Sequence, residues 1–385
     1  MDNWQKTTVG ALCVRVCSGG TPKSSNPEFY ALSGIPWLNT KEIDFNRVHS
    51  TEKHITEAGF NASAAKWVDV NSVIVAMYGA TAGKCCINKI PLTTNQACCN
   101  LTVNPELCDY RFLYFYLCDK YRELALLANG GAQQNLNAQI IKNFEIDLPP
   151  LETQRKIAAI LSALDDKIEL NRRINANLEQ QAAAIYSAMF TENDSLKTTS
   201  GVLSDIAVVT MGQSPKGDSY NEDGVGEVFY QGRAEFGFRF PTRRLFTTEP
   251  KRIAEKDDVL LSVRAPVGDI NVAYERCCIG RGLASIRSKG EDSSYLLYTM
   301  FALKPKLELF NGEGTVFGSV NRDALNSTPI SIPEISKIKE FETLVRPIDS
   351  LIRTNYEETL RLQTLRDALL PRLMSGEIDV DDVKF

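Results

Sequence analysis

The sequence predicts an α+β protein with two similar mixed α/β domains separated by two long helices that form an antiparallel coiled coil. Three observations predict it. The chain repeats its own plan at a displacement of about 185 to 193 residues. Each copy closes on a short apolar segment ending in proline, and after each proline comes a long glycine-free run with heptad-spaced apolar positions.

The domains rest on the repeat. Gly20-Thr21-Pro22-Lys23 recurs as Gln213-Ser214-Pro215-Lys216, and the segment Ile35 to Ile43 aligns with Val228 to Phe236. The apolar run Val73 to Tyr78 matches Val259 to Arg264. Each run reads as a buried strand leading into a turn that closes at Gly83 or Gly268. Asn95-Gln96-Ala97 aligns with Gly280-Arg281-Gly282. The apolar-aromatic helix near Phe112 to Leu117 aligns with the one near Tyr295 to Met300. The closing strands are Ile146 to Pro149 and Ile330 to Pro333.

The long helices are expected over about Glu152–Phe190 and Ser336–Met374. In the first, Ile157, Leu161, Leu164, Ile168, Asn171, Asn175, Leu178, Ala182, Ile185 and Met189 step by alternating four and three, which is a heptad seam. The matching seam, 184 residues on, runs from Phe341 to Leu373, and only Arg366 breaks it badly. A two-fold relation between the copies would run the helices antiparallel, setting Asn171 opposite Thr359 and Asn175 opposite Asn355 as one polar layer that fixes the register. The resulting division is 1–150, 151–192, 193–333 and 334–376, with an acidic tail at 377–385.

Composition narrows the class. A chain of 385 residues with 43% apolar and 24% charged side chains has room for two domains. No apolar stretch approaches the roughly 20 residues of a membrane-spanning helix, and Met1 to Gly10 has no basic segment followed by an apolar one, so a cytoplasmic location is expected. Of ten cysteines, six form adjacent pairs (Cys85-Cys86, Cys98-Cys99, Cys277-Cys278) whose side chains would point to opposite faces of a strand. Cys13, Cys17, Cys108 and Cys118 make no C-x-x-C hook, so structural thiols in a reducing compartment are expected rather than zinc or disulfides. The net charge of −5 is uneven: residues 1–150 carry 13 basic and 13 acidic side chains, residues 201–333 carry 16 and 17, and residues 334–385 carry 8 and 11. Balanced domains can present a basic face, but tight non-specific DNA binding by the chain alone is not expected, because phosphate neutralisation supplies most of that affinity.

Catalytic constellations are wanting. The two histidines, His49 and His54, lie in a polar stretch of the first copy with no counterpart in the second, and read as surface residues. Gly79 to Lys84 resembles a phosphate-binding loop. It is one residue short between its glycines and carries Cys85 where a magnesium-binding hydroxyl belongs, so it reads as a turn. Asn26-Pro27-Glu28-Phe29 is close to a base-holding methyltransferase signature, but it lacks the second proline and has no glycine-rich cofactor turn, so it too reads as a loop. No catalytic, cofactor or metal site is expected in this chain.

Taken in order, the two Thr/Ser-Pro-Lys openings, the segment Leu148-Pro149-Pro150-Leu151-Glu152-Thr153-Gln154-Arg155-Lys156-Ile157 and the ending Leu369 to Ile378 resemble the specificity subunits of type I restriction-modification enzymes, over essentially the full chain. The resemblance implies two target-recognition domains, each reading one half of a split double-stranded DNA target. The helices would set the spacing and dock two methyltransferase subunits. S-adenosylmethionine would bind on those partners, and ATP on restriction subunits where these are present. A helix of about 39 residues would be roughly 60 Å long at 1.5 Å per residue, enough to hold two readers over separate major grooves.

Candidate DNA-contacting residues are the polar and basic side chains at aligned turns: Thr21, Lys23, Asn39, Lys41, Tyr78 and Gln96 in the first domain, and Ser214, Lys216, Arg233, Arg264 and Arg281 in the second. The aligned loops Asn39-Thr40-Lys41 and Gly232-Arg233-Ala234 differ, so the half-targets should differ and the site should be asymmetric. The competing reading is a tandem-repeat adaptor that joins two protein partners without DNA specificity.

Overall fold

The computed structural model describes residues 4–129, 135–193, 195–311 and 318–380. The chain divides into two compact units, residues 1–170 with 358–385, and residues 171–357. Each unit combines one mixed α/β domain with a stretch of both long helices, so the unit boundary cuts each helix rather than falling at its ends.

In the first unit Val73–Ala76 is buried along its whole length, as an uninterrupted apolar run requires. It pairs antiparallel with Cys98–Val103 on one side and Cys85–Asn88 on the other. With Cys13–Ser18 and Asn46–Val48 at the edges these make a five-stranded sheet. A second sheet contains Tyr30–Ala31, Lys53–Ile55, Ile35–Leu38, Leu92–Thr94 and Trp67–Val68. Within it Ile35–Leu38 and Leu92–Thr94 run parallel, Trp37 facing Thr93 and Leu38 facing Thr94.

The second unit repeats this plan. Val259–Ser262 is the buried centre of a sheet with Leu283–Ser288, Ala207–Met211 and Ile270–Val272. The parallel pair is Glu227–Tyr230 with Cys277–Ile279, Phe229 facing Cys278 and Tyr230 facing Ile279. Gly83 and Gly268 close the aligned turns with φ of +87° and +105°, where a side chain would be strained. The apolar-aromatic helices run over Tyr110–Asp119 and Ser293–Glu308.

Each closing strand has a partner that the sequence did not suggest: Gln5–Thr8 pairs with Glu145–Leu148, and Thr198–Val202 with Pro329–Pro333. Gln-Lys-Thr-Thr carries no apolar alternation, and its extended state is imposed by the partner strand.

All ten cysteines are free thiols. Neighbours do point to opposite faces: Cys85 and Cys99 enter the main core of the first unit, Cys86 and Cys98 the core between the sheets. Burial pushes the Cys13 thiol up to about 11 and those of Cys99 and Cys108 to about 12, which leaves them protonated and inert.

The first long helix is Leu151–Tyr186, continued by a π-turn over Ser187–Thr191, and the second is Ile335–Met374. No residue of either seam is exposed. In the first unit Asp165 meets Arg366 at 2.9 Å and Ile157, Leu161 and Leu373 share one core. In the second, Asn175 meets Asn355 at 2.9 Å while the Tyr186 ring meets that of Phe341 edge-on, centroids 5.7 Å apart. Rising numbers on one helix meet falling numbers on the other, so within each unit the segments are antiparallel. Arg366, the outlier of the seam, turns out to have a carboxylate waiting for it. Asn171 and Thr359 are each buried, and they belong to different units. The acidic tail does not begin as a free segment: Arg372 pairs with Glu377 at 2.8 Å, and Ile378 and Val380 pack on the core of the first unit. Its residues 381–385, Asp381 and Asp382 included, lie outside the described residues. No helix among the described residues is long and apolar enough to cross a membrane.

Candidate nucleic-acid interface

The candidate residues gather where the strands of each domain end, and the backbone brings those ends together. In the first unit Gly20 N–H donates to the Thr94 carbonyl (2.9 Å), Asn95 N–H to Leu38 (3.0 Å) and Met77 N–H to Ala97 (2.8 Å). The turns carrying Thr21, Asn39, Tyr78 and Gln96 are thereby tied into one edge. In the second unit Gln213 N–H donates to Ile279 (2.9 Å), Gly280 N–H to Tyr230 (2.8 Å) and Val263 N–H to Gly282 (2.9 Å), placing Ser214, Arg233, Arg264 and Arg281 on the corresponding edge. A glycine makes each first contact possible. A Cβ on Gly19 would lie 2.1 Å from the Thr94 carbonyl oxygen, and one on Gly212 2.1 Å from that of Gly280.

One contact recurs between aligned candidates. Thr21 donates its hydroxyl to the side-chain carbonyl of Gln96, and in the second unit Arg281 N–H donates to Ser214 Oγ at 3.2 Å. Asn39 caps the short 3-10 turn Thr40–Glu42, Glu42 returning the bond to the Asn39 N–H at 2.9 Å. Asn39 therefore shapes its loop as well as standing on the edge.

Two cations of the set are already paired. Lys41 lies 2.8 Å from Glu52, both exposed. Arg233 pairs with Asp269, which also faces Lys304 at 3.4 Å. Partial burial opposes ionisation of Asp269, but the hydrogen bonds and charges of Arg233 and Lys304 outweigh it and hold the carboxyl below its ordinary range. Lys23, Tyr78, Lys216, Arg264 and Arg281 have exposed side chains.

A pair of tyrosines belongs to this architecture and was missed. Tyr30 donates its hydroxyl to the Pro22 carbonyl at 2.8 Å, and Tyr220 donates to the Pro215 carbonyl at 3.0 Å, each pinning a Thr/Ser-Pro-Lys opening. The two tyrosines stand eight and five residues after their prolines, and this unequal spacing hides the correspondence.

The stretches that resemble catalytic motifs have structural duties. Gly79–Thr81 is a 3-10 turn, and Lys84 donates to Asp44 at 2.6 Å. Asn26 caps Pro27–Phe29. His49 is exposed, as a surface residue should be, and its Nε2 lies 3.0 Å from Glu169 on the first long helix. His54 sits on the strand Lys53–Ile55.

The chain thus builds the same strand-end edge twice, on two similar domains that each pack with a stretch of the long helices. The family model for the type I restriction modification DNA specificity domain matches residues 1–180 and 199–360, one stretch for each copy. The chain belongs to that family. The MjaX chain of Methanocaldococcus jannaschii, assigned as a type I restriction enzyme specificity subunit, is 36% identical over 267 residues. That match covers 64% of this chain and 62% of the relative, less than two thirds of its length. The MjaIX specificity subunit of the same organism is 23% identical over 407 residues, 96% of this chain and 92% of that one. A crystal structure of the S subunit of a type I restriction-modification system from M. genitalium has a similar fold, with a TM-score of 0.59, 19% identity and 96% of each chain covered.

Proposed function

We propose that this chain is the sequence-specific DNA-binding specificity subunit of a type I restriction-modification complex, reading a bipartite, asymmetric target through the two strand-end edges. The observation that carries the reading is the recurrence of one edge with different side chains. Thr21 with Gln96 and Ser214 with Arg281 take equivalent places, yet they offer different hydrogen-bonding groups to a base. Two readers of one build and different chemistry suit a split target with unlike halves.

The chain itself is non-catalytic in this reading and works in the cytoplasm. The long helices dock two methyltransferase subunits, which bind S-adenosylmethionine, and restriction subunits, where present, use ATP. Those partners also supply the positive charge that the balanced domains lack. The test is methylation-sensitive sequencing of DNA from cells carrying the chain with its neighbouring methyltransferase. A bipartite motif with unlike halves is expected; no motif, or a single continuous one, would refute the reading.

A further inference from the structure

Arg47 and Arg239 occupy one position in the two copies. Arg47 faces Ile87 in a parallel strand pair, and the Arg239 carbonyl accepts from the N–H of Val272, the residue that repeats Ile87. Both guanidinium groups reach the long helices. Arg47 pairs with Asp166, lies 3.8 Å from Glu169 and donates to the Ser162 carbonyl at 3.5 Å, all on the first helix. Arg239 lies 3.0 Å from Glu179 on the first helix and 3.1 Å from Asp349 on the second. It also donates to the Tyr298 hydroxyl at 3.0 Å, and that hydroxyl donates to Asp349 at 3.1 Å.

Arg239 is only 4% exposed, packed over the rings of Tyr298 and Phe301. A buried ion pair is poor evidence for stability but a strict demand on geometry, because a displaced charge loses its partners without regaining water. The planar guanidinium fixes several directions at once, which a lysine cannot do. Its contacts tie the domain to two helices in one place.

We propose that Arg239 is a positioning residue that fixes the seat of the second domain on its helix segments and thereby the spacer length accepted between the two half-targets, with Arg47 doing the same in the first copy. The inference rests on the two-reader function proposed above. Arg239 reads no base, so its loss relaxes spacing and leaves base preference intact.

The test uses the full chain with its methyltransferase partner and DNA duplexes in which both half-targets are kept and the spacer is changed by one base pair in either direction. Wild type should prefer one spacer by tenfold or more. Arg239→Met should cut that preference several-fold with single-base preferences unchanged, and Arg239→Lys should fall between. Tyr298→Phe removes one hydroxyl while keeping the ring, so it remains informative if Arg239→Met does not fold, and it should relax spacing by a smaller factor. Folded variants that keep the wild-type spacer preference, or that change base preference in a half-target, overturn this inference alone. A wild type without bipartite preference overturns the function beneath it.

Discussion

Asn355 donates its side-chain amide to Oδ1 of Asn175 at 2.9 Å across the two long helices, while Asn175 donates to the Ile352 carbonyl at 3.0 Å. A leucine pair in their place would bury more apolar surface but would not distinguish this register from one shifted by a heptad. Asn175→Leu alone should destabilise the chain by about 1–3 kcal/mol, because it removes an acceptor and a donor from a buried layer. The double variant Asn175→Leu/Asn355→Leu should cost less than the sum of the single ones, with a coupling of about 0.5–3 kcal/mol in a double-mutant cycle followed by urea denaturation. Strict additivity would mean that the amides do not act together.

Arg281 and Arg233 are predicted base-contacting residues of different standing. Arg281 has an exposed side chain whose backbone N–H is anchored on Ser214, whereas Arg233 must leave Asp269 to reach DNA. Arg281→Ala should therefore cost about 1–3 kcal/mol in binding of the complex to its target and relax preference at one base. Arg233→Ala should cost less. Fluorescence anisotropy on duplexes substituted one base pair at a time measures both, and unchanged affinity and base preference in both variants would remove them from the edge.

The backbone approach at Gly19 and Gly212 leaves no room for a methyl group. Gly19→Ala or Gly212→Ala should lower stability by about 1–3 kcal/mol, as overpacking does. A thermal melt within a degree of wild type for both would show that the edges tolerate separation.

Asp269 supplies a pH dependence. Its folded carboxyl is held below the ordinary range, so it favours the folded state at neutral pH, and that contribution is lost as pH falls from about 4 through the lower folded value. The stability difference between wild type and Asp269→Asn should accordingly be present at pH 7 and shrink toward acid. Parallel pH profiles for the two proteins would contradict it.

Much of the fold was legible because it is written twice. The buried runs at Val73 and Val259 and the seams from Ile157 and Phe341 each had a second copy to check against. Features made by tertiary contact were not legible. Gln5–Thr8 is a strand only because Glu145–Leu148 lies beside it. Arg366 interrupts the pattern for a reason, Asp165, that lies 201 residues away. At the candidate edge, turn alignment found Thr21, Gln96, Ser214 and Arg281. It gave no sign that Lys41 and Arg233 are paired with acids, because Glu52 and Asp269 belong to other turns. Arg47 and Arg239 escaped because the repeat offset changes from 193 to 186 between the aligned segments that flank them, leaving no fixed spacing to align.

The central claim is that two similar domains read separately, and exchange of one domain tests it most directly. Residues 1–150 would be replaced by the equivalent region of a relative with a different target, and methylation-sensitive sequencing would be run on cells carrying the chimera with its methyltransferase. Independent folding units joined by helices predict that one half-target changes while the other half and the spacer stay as they were. A chimera whose whole target changes, or whose target does not change at all, would contradict the account.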